Sequence, residues 1–426
     1  MRRPSRTILS TPVDIFLAIL CLFLLSLLGT SRYAYQFRRR RSVAALVGGG
    51  WLSVLIGMLI GPEVTGLVTR ETILQTVPLL TLGLGWVGFI TGFQIRLSIL
   101  KQIPASNFRI VAFDALLTTL CVGPLAFWIM GLWAPDATGL ALWLPTAFVV
   151  CSMIGWKLET RSLGLGTDQH AVLRVRATGT LLAIVAVVLF GLAAKAIERD
   201  DTGAVALAGD FGALKLLHTL VLAMAIGGIG RSLVRAAGDR FGYKLAIFLG
   251  IVSFTAGSAV QIGASPLIAA TLAGVVFSNI RPSRLSTFEQ FILRAEHVIA
   301  VLFGVLVGIL MDPGFSVWGL VLVGALIAAR AVIKPSLLSA PKHADGREPA
   351  PEIKRGVRIA GVRLSPIMLV VGVSLVLLEP STFHKHLLAA LVFVGVVCEF
   401  ASLLTHVRER SDEADAQPQS AEGVSA

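Results

Sequence analysis

The sequence predicts an all-α polytopic membrane protein, and two observations support that prediction. Hydrophobic residues make up 55% of the 426 residues and charged residues only 15%, whereas soluble domains carry about 25% charged residues. The apolar residues also form long continuous runs, many close to the roughly 20 residues that a helix needs to cross about 30 Å of hydrocarbon. Lipid is therefore expected to surround most of the chain.

Thirteen such runs predict about 13 transmembrane helices, because open strands cannot satisfy their backbone groups in lipid. The runs lie near residues 13–30, 42–60, 73–93, 108–130, 139–157, 175–196, 211–231, 243–261, 264–280, 296–311, 315–335, 364–379 and 386–406. A short segment, 1–12, precedes this membrane domain, 13–406, and a polar linker, 337–363, interrupts it. The tail, 407–426, is rich in Ser, Glu, Asp and Gln and is expected to be disordered.

Basic residues are distributed unevenly between the loops. Most of them, including the run Arg38–Arg41, fall in loops that alternate spans place on one side of the membrane. Basic loops stay on the cytoplasmic side, so we expect a cytoplasmic C-terminus and, with an odd number of spans, an N-terminus outside. The net charge of +12 has the same origin, and no nucleic-acid partner is expected.

The sequence contains no pattern that is typical of an enzyme. It lacks a nucleophile triad, a phosphate-binding loop and the spacing of a zinc site. All four cysteines fall inside apolar runs, as buried small hydrophobic residues do: Cys21, Cys121, Cys151 and Cys398. We therefore expect no catalytic site, no cofactor and no bound metal.

Three segments resemble the cation:proton antiporter superfamily. The sequence GMLIGPEVTGLV, Gly57–Val68, is similar to the end of that family's second helix. The sequence SPLIAATLAGVVFSN, Ser265–Asn279, resembles a conserved helix of the family, and LFGVLVGILMD, Leu302–Asp312, resembles the next one. The order and spacing of the three segments agree with the family from about residue 42 to residue 335.

The resemblance implies a fold and a function. The fold consists of inverted repeats that form a core domain and a dimerisation domain, with two broken crossing helices in the middle of the membrane. These would be the fifth helix, with Cys151–Ser152–Met153, and the twelfth, broken near Pro366. The implied protein is a homodimer in the bacterial inner membrane that exchanges a monovalent cation for protons.

This chain departs from the family at its ion site. The aspartates of the family's sixth helix correspond here to Gly179 and Thr180, neither of which ionises. Cys151 and Ser152 replace the usual signature of the fifth helix, whereas the basic residue of the eleventh helix remains as Arg330. The hydroxyls of Ser152 and Thr180 either bind an ion or bond their own helix backbone.

Few other ionisable residues fall inside the predicted spans. Asp114 and Glu399 are each interpreted either as a structural partner of another charge or as a group that binds substrate or protons. Arg330 needs a counter-charge or an anion within the membrane. Lys334, one turn later, is expected to extend to the cytoplasmic surface. The two histidines His384 and His386 are expected to face outward and to be solvated.

Three functions remain open from the sequence. The first is exchange of a monovalent cation for protons through an atypical site around Ser152, Thr180 and Arg330. The second is transport of an anion or neutral solute on the same fold, because Arg174 and Arg176 would add positive charge at the mouth of the site. The third is a membrane subunit or sensor that does not transport.

Overall fold

The structure is a computed structural model that describes the chain between residues 51 and 416, with gaps. The described residues are 51–62, 64–66, 68, 76–101, 105–137, 139–154, 169–195, 197–199, 205–207, 210–238, 240–280, 287–314, 316–336, 364–365, 367–378 and 381–416. Four predicted features lie outside the described residues: the segment 1–12, the span 13–30, the linker 337–363 and the break near Pro366.

The described chain is almost entirely helical. Its helices are α1 (Trp51–Ile60), α2 (Val77–Phe93), α3 (Leu97–Leu100), α4 (Ala105–Trp133), α5 (Trp143–Ile154), α6 (Gln169–Lys195), α7 (Asp210–Ala236), α8 (Phe241–Gln261), α9 (Pro266–Asn279), α10 (Thr287–Leu310), α11 (Val317–Ser336), α12 (Ile367–Leu378) and α13 (Thr382–Ala416). A two-stranded antiparallel hairpin, which the sequence analysis did not predict, pairs β1 (Ile197–Arg199) with β2 (Val205–Leu207). Every predicted span from 42–60 onward contains one of these helices.

The helices identify a multi-pass membrane protein. Five of the described helical segments are long and apolar enough to cross a membrane: Phe108–Trp133, Leu217–Ala236, Phe241–Gln261, Val317–Lys334 and Thr382–Ala401. Seven shorter described helices are also apolar. Large apolar side chains cover their outer faces, as at Leu120, Trp128 and Val332, which are 63%, 65% and 70% exposed. Lipid tails accommodate such surfaces, whereas water does not.

The helices divide into two bundles according to their main contacts. The first bundle contains α4, α5 and α6 together with α11, α12 and α13. The second contains α1, α2, α7, α8, α9 and α10. Contacts between the bundles run mainly through α6 and α12 of the first bundle, which pack against α2, α9 and α10 of the second. Two sets of three consecutive helices therefore form the first bundle.

Glycines bring two pairs of helices in the second bundle into backbone contact. A Cβ atom at Gly88 or Gly92 of α2 would collide with the carbonyl groups of Leu267 or Thr271 of α9. The pair α1 and α10 has the same arrangement, because a Cβ atom at Gly57 would collide with the carbonyl group of Val305. In each pair the contacting residues advance in the same direction along both helices, so the two helices are parallel. Small residues permit this close approach of helices in a membrane.

Two helices of the first bundle are short within the described part of the chain. Helices α5 and α12 each contain 12 residues, which corresponds to about 18 Å at 1.5 Å per residue. They pack against each other, and Gly372 of α12 faces the ring of Phe148 of α5. The last described turn of α5, up to Ile154, therefore lies inside the first bundle.

The ends of α4 and α10 meet the beginning of α13, and this corrects the expectation for the two histidines. His384 is buried and its Nδ1 lies 2.8 Å from Ser381 Oγ. His386 Nε2 lies 3.2 Å from Asp312 Oδ2, and its ring stacks on Trp133 at an interplanar angle of 7°. Neither histidine is fully solvated, because α4 and the segment after α10 cover the first turn of α13.

The last helix is longer than its apolar run. It continues to Ala416, ten positions beyond the predicted membrane edge at residue 406, so the beginning of the predicted tail is helical. This extension contains Arg408, Glu409 and Arg410 together with alanines, and such residues favour helix in water as well as in lipid.

Candidate functional site

The centre of the candidate site is a buried ion pair between α4 and α11. Lys334 Nζ lies 2.7 Å from each carboxylate oxygen of Asp114. The two side chains are 5% and 1% exposed, and Thr118 Oγ1 donates a further hydrogen bond of 3.1 Å to Asp114 Oδ1. The expectation that Lys334 extends to the surface was wrong. Because α11 packs against α4, its last turn directs the lysine to the carboxylate.

Arg330 lies one turn before Lys334 and binds the end of α5. Its guanidinium Nη1 donates a hydrogen bond of 2.7 Å to the carbonyl oxygen of Met153. Lys334 Nζ lies 3.5 Å from the carbonyl oxygen of Ile154. A buried carbonyl oxygen is a strong acceptor that favours a charged donor. The two cations therefore bind backbone carbonyl groups in the last described turn of α5.

Helical spacing explains why these groups meet. Arg330 and Lys334 are four residues apart on α11, and Asp114 and Thr118 are four residues apart on α4, so each pair shares one helix face. Asp114 is nine residues after the start of α4, about 14 Å along the helix axis. The site is therefore well inside the helix rather than at its end.

Cys151 and Ser152 lie in the last turn of α5, beside the carbonyl groups that Arg330 and Lys334 contact. Both side chains are buried. Ser152 Oγ donates a hydrogen bond of 2.7 Å to the carbonyl oxygen of Phe148, which confirms the interpretation that this hydroxyl bonds its own helix. Cys151 lies against the backbone of Phe190 in α6 and so joins the two helices.

Gly179 and Thr180 occupy α6, which packs against α4 and α5. Gly179 is buried and Thr180 is half-buried. The side chains of Arg174 and Arg176 lie outside the described part of the chain. The site that the structure does describe is therefore centred on Asp114, Arg330 and the end of α5.

Glu399 is a second buried carboxyl group in the first bundle. It lies on α13 and is 5% exposed. The neighbouring Cys398 is within electrostatic range of both Glu399 and Arg330, and α13 packs against α11. Among the described residues, the first bundle thus buries the acidic residues Asp114 and Glu399 and the basic residues Arg330 and Lys334, besides His384.

Sequence reasoning missed the partner of Asp114. The signal was the spacing of Arg330 and Lys334, since two cations on one face of a membrane helix need more than one negative group. It also missed the carbonyl groups of Met153 and Ile154 as binding groups, because a backbone acceptor leaves no residue pattern in the sequence.

The overall fold is similar to that of a known transporter. The sodium proton antiporter MjNhaP1 from Methanocaldococcus jannaschii, solved at pH 8, aligns with a TM-score of 0.63 and 13% sequence identity. The alignment covers 92% of this chain and 98% of that chain. No family model and no curated protein matches the sequence. The chain therefore has the fold of that sodium proton antiporter.

Proposed function

We propose that this chain is a secondary transporter that exchanges a monovalent cation for protons, and that Asp114 is the group that both ions use. The single observation that supports the proposal is the buried pair of Asp114 with Lys334. Exchange requires a carboxylate that is shielded from bulk water and able to hold either ion. Asp114 meets both conditions, although it lies on α4 and not on α6.

The ammonium group of Lys334 gives the proposed exchange a physical basis. In the resting arrangement Lys334 occupies both oxygens of Asp114. A transported cation or a proton must compete with this ammonium group for the same oxygens. Arg330 remains bound to Met153 throughout and keeps the end of α5 in place. Asp114 is then never left as an isolated buried charge, which would be very costly in lipid.

The contacts favour cation exchange over the anion alternative. An anion site needs basic groups that are available to the substrate. Lys334 is bound to Asp114, and Arg330 is bound to the carbonyl oxygen of Met153. Among the described residues, the two acidic and two basic groups of the first bundle balance in formal charge. Transport of an anion or neutral solute is therefore the second candidate and has weaker support.

The proposed topology follows the antiporter fold in detail. We propose thirteen spans, inverted repeats, α5 and α12 as parts of the crossing helices, a homodimer, and a bacterial inner membrane with the C-terminus inside. Helix order supports the repeats, because α4–α6 and α11–α13 contribute equally to the first bundle. The short length of α12 and its packing against α5 support the crossing helices.

The test is ion flux in proteoliposomes that contain the purified chain and an internal pH dye. Imposed sodium, potassium and chloride gradients are compared. We expect proton movement that depends on a cation gradient and is lost in Asp114→Asn. Because that variant leaves Lys334 unpaired, the double variant Asp114→Asn/Lys334→Gln is measured as well, and it should fold but not exchange.

Three other outcomes have definite meanings. Unchanged exchange in the double variant would contradict the role of Asp114. If exchange were lost in Glu399→Gln but kept in the double variant, that role would belong to Glu399. Flux only with chloride, abolished in Arg330→Ala, would support the anion candidate. Silence of the folded wild-type protein under every gradient would favour a membrane subunit that does not transport.

A further inference from the structure

Among the described residues, one buried hydroxyl group has no hydrogen-bond partner. Ser374 of α12 is 4% exposed, and its Oγ atom has no hydrogen-bond partner within the described part of the chain. Other buried serine and threonine side chains of the described helices do have partners. Four of these hydroxyl groups bond the carbonyl oxygen one turn earlier: Thr91, Ser152, Thr255 and Thr271.

The side of α12 on which Ser374 lies can be derived from its neighbour Gly372. A Cβ atom at Gly372 would contact Phe148 of α5 and Leu388 of α13, so this side of α12 faces the first bundle. Two positions along a helix correspond to a rotation of about 200°. Ser374 therefore lies on nearly the opposite side of α12.

That opposite side faces the boundary between the bundles. Besides α5 and α13, helix α12 packs against α10 and α2 of the second bundle and against α6. Helix α6 itself contacts α2 and α9 across the same boundary. In proteins that alternate access to a central site, the surface between two bundles is where the path of the substrate opens. The hydroxyl of Ser374 thus lies at the boundary that the transported ion would cross.

We infer that Ser374 Oγ is an oxygen ligand of the transported monovalent cation at the boundary between the two bundles. This inference rests on the proposed function and adds a second position to it. Hydroxyl and carbonyl oxygens replace the hydration shell of an ion in a membrane path. A hydroxyl that bonded its own helix would be less available, and among the buried hydroxyl groups of the described residues that of Ser374 has no hydrogen-bond partner.

If this inference is correct, Ser374→Ala should weaken binding of the cation without lowering thermal stability, and Ser374→Thr should restore the binding. A buried hydroxyl without a partner destabilises the protein that contains it, so Ser374→Ala should leave thermal stability unchanged or raise it. The same substitution should raise the KM for the cation by about three- to tenfold, because one ligand is lost. Ser374→Thr keeps the hydroxyl group and should restore most of the affinity.

The matched control is Thr255→Val in α8 of the second bundle, where the side chain of Thr255 is fully buried. Its hydroxyl group donates a hydrogen bond of 2.7 Å to the carbonyl oxygen of Ile251. Loss of that bond should lower thermal stability and leave the KM unchanged. Ser374→Ala and Thr255→Val therefore distinguish a hydroxyl that binds the ion from a structural hydroxyl. The first should change the KM and the second should change the thermal stability.

The experiment measures cation-dependent proton flux in proteoliposomes over a series of sodium and potassium concentrations, together with thermal unfolding of each variant in detergent. A raised KM in Ser374→Ala with unreduced stability supports the inference. An unaltered KM in that variant, from wild-type protein that transports, overturns this inference alone. Silence of the wild-type protein overturns the proposed function and this inference with it.

Discussion

Lys334 Nζ lies 2.7 Å from both carboxylate oxygens of Asp114, although 220 positions separate the two residues. The pair joins α4 to α11 and lies at the end of α5, so three helices of the first bundle meet there. Removal of one partner leaves the other charge buried and alone, which costs about 3–5 kcal/mol. This relationship makes the pair the most sensitive point of the first bundle.

The first prediction concerns that pair. We expect Asp114→Asn to lower the free energy of unfolding by about 3–5 kcal/mol, since Lys334 keeps its charge without a counter-charge. The double variant Asp114→Asn/Lys334→Gln should recover most of this loss, because no unpaired charge remains. Thermal unfolding of the single and double variants in detergent measures both effects. Additive losses in the double variant would contradict the pairing.

The second prediction concerns the hydrogen bond from Arg330 to the carbonyl oxygen of Met153 in α5. We expect Arg330→Met to destabilise the protein by about 1.5–3 kcal/mol, because the Met153 carbonyl oxygen loses a charged donor in a buried place. The control is Arg235→Met, since Arg235 donates a similar bond of 2.6 Å to the Ile280 carbonyl oxygen, but at an exposed position. Water can replace that bond, so the control should lose much less. Equal losses would argue against burial as the cause.

The third prediction tests the backbone contact between α2 and α9. A Cβ atom at Gly274 would collide with the carbonyl oxygen of Phe89, whereas one at Gly257 of α8 would meet nothing within 4 Å. We therefore expect Gly274→Ala to prevent folding or to destabilise the folded protein strongly. Gly257→Ala should be neutral, or stabilising by up to about 1 kcal/mol. Size-exclusion profiles and thermal unfolding distinguish these results, and a well-folded Gly274→Ala protein would contradict this packing.

The fourth prediction compares the half-buried contact between Asp312 and His386 with the buried ion pair. Asp312 and His386 are 28% and 23% exposed, so water screens the interaction between them. We expect Asp312→Asn to change the free energy of unfolding by less than about 1 kcal/mol. The measurement is the one used for Asp114→Asn, in the same detergent. A loss as large as that of Asp114→Asn would mean that the segment after α10 depends on this contact.

Some features of the candidate site were predictable from the sequence. Asp114, Arg330 and Glu399 stood out because ionisable residues are rare in apolar runs. The internal hydrogen bond of Ser152 followed from the general behaviour of serine in helices. The burial of Lys334 was not predictable in the same way. A lysine one residue from the end of a predicted span is expected to reach the surface, and only the packing of α11 against α4 offers it a carboxylate instead.

The sequence by itself determined that this protein is a helical membrane protein and where most of its helices lie. Those properties depend on local composition, since each span must satisfy its own backbone in lipid. Its short motifs also indicated the antiporter fold. The tertiary structure alone decided that α4–α6 and α11–α13 form one bundle, that Lys334 binds Asp114, and that Arg330 holds the end of α5. These contacts join residues that are 177 and 220 positions apart, and no local pattern specifies which distant helix face will be opposite another.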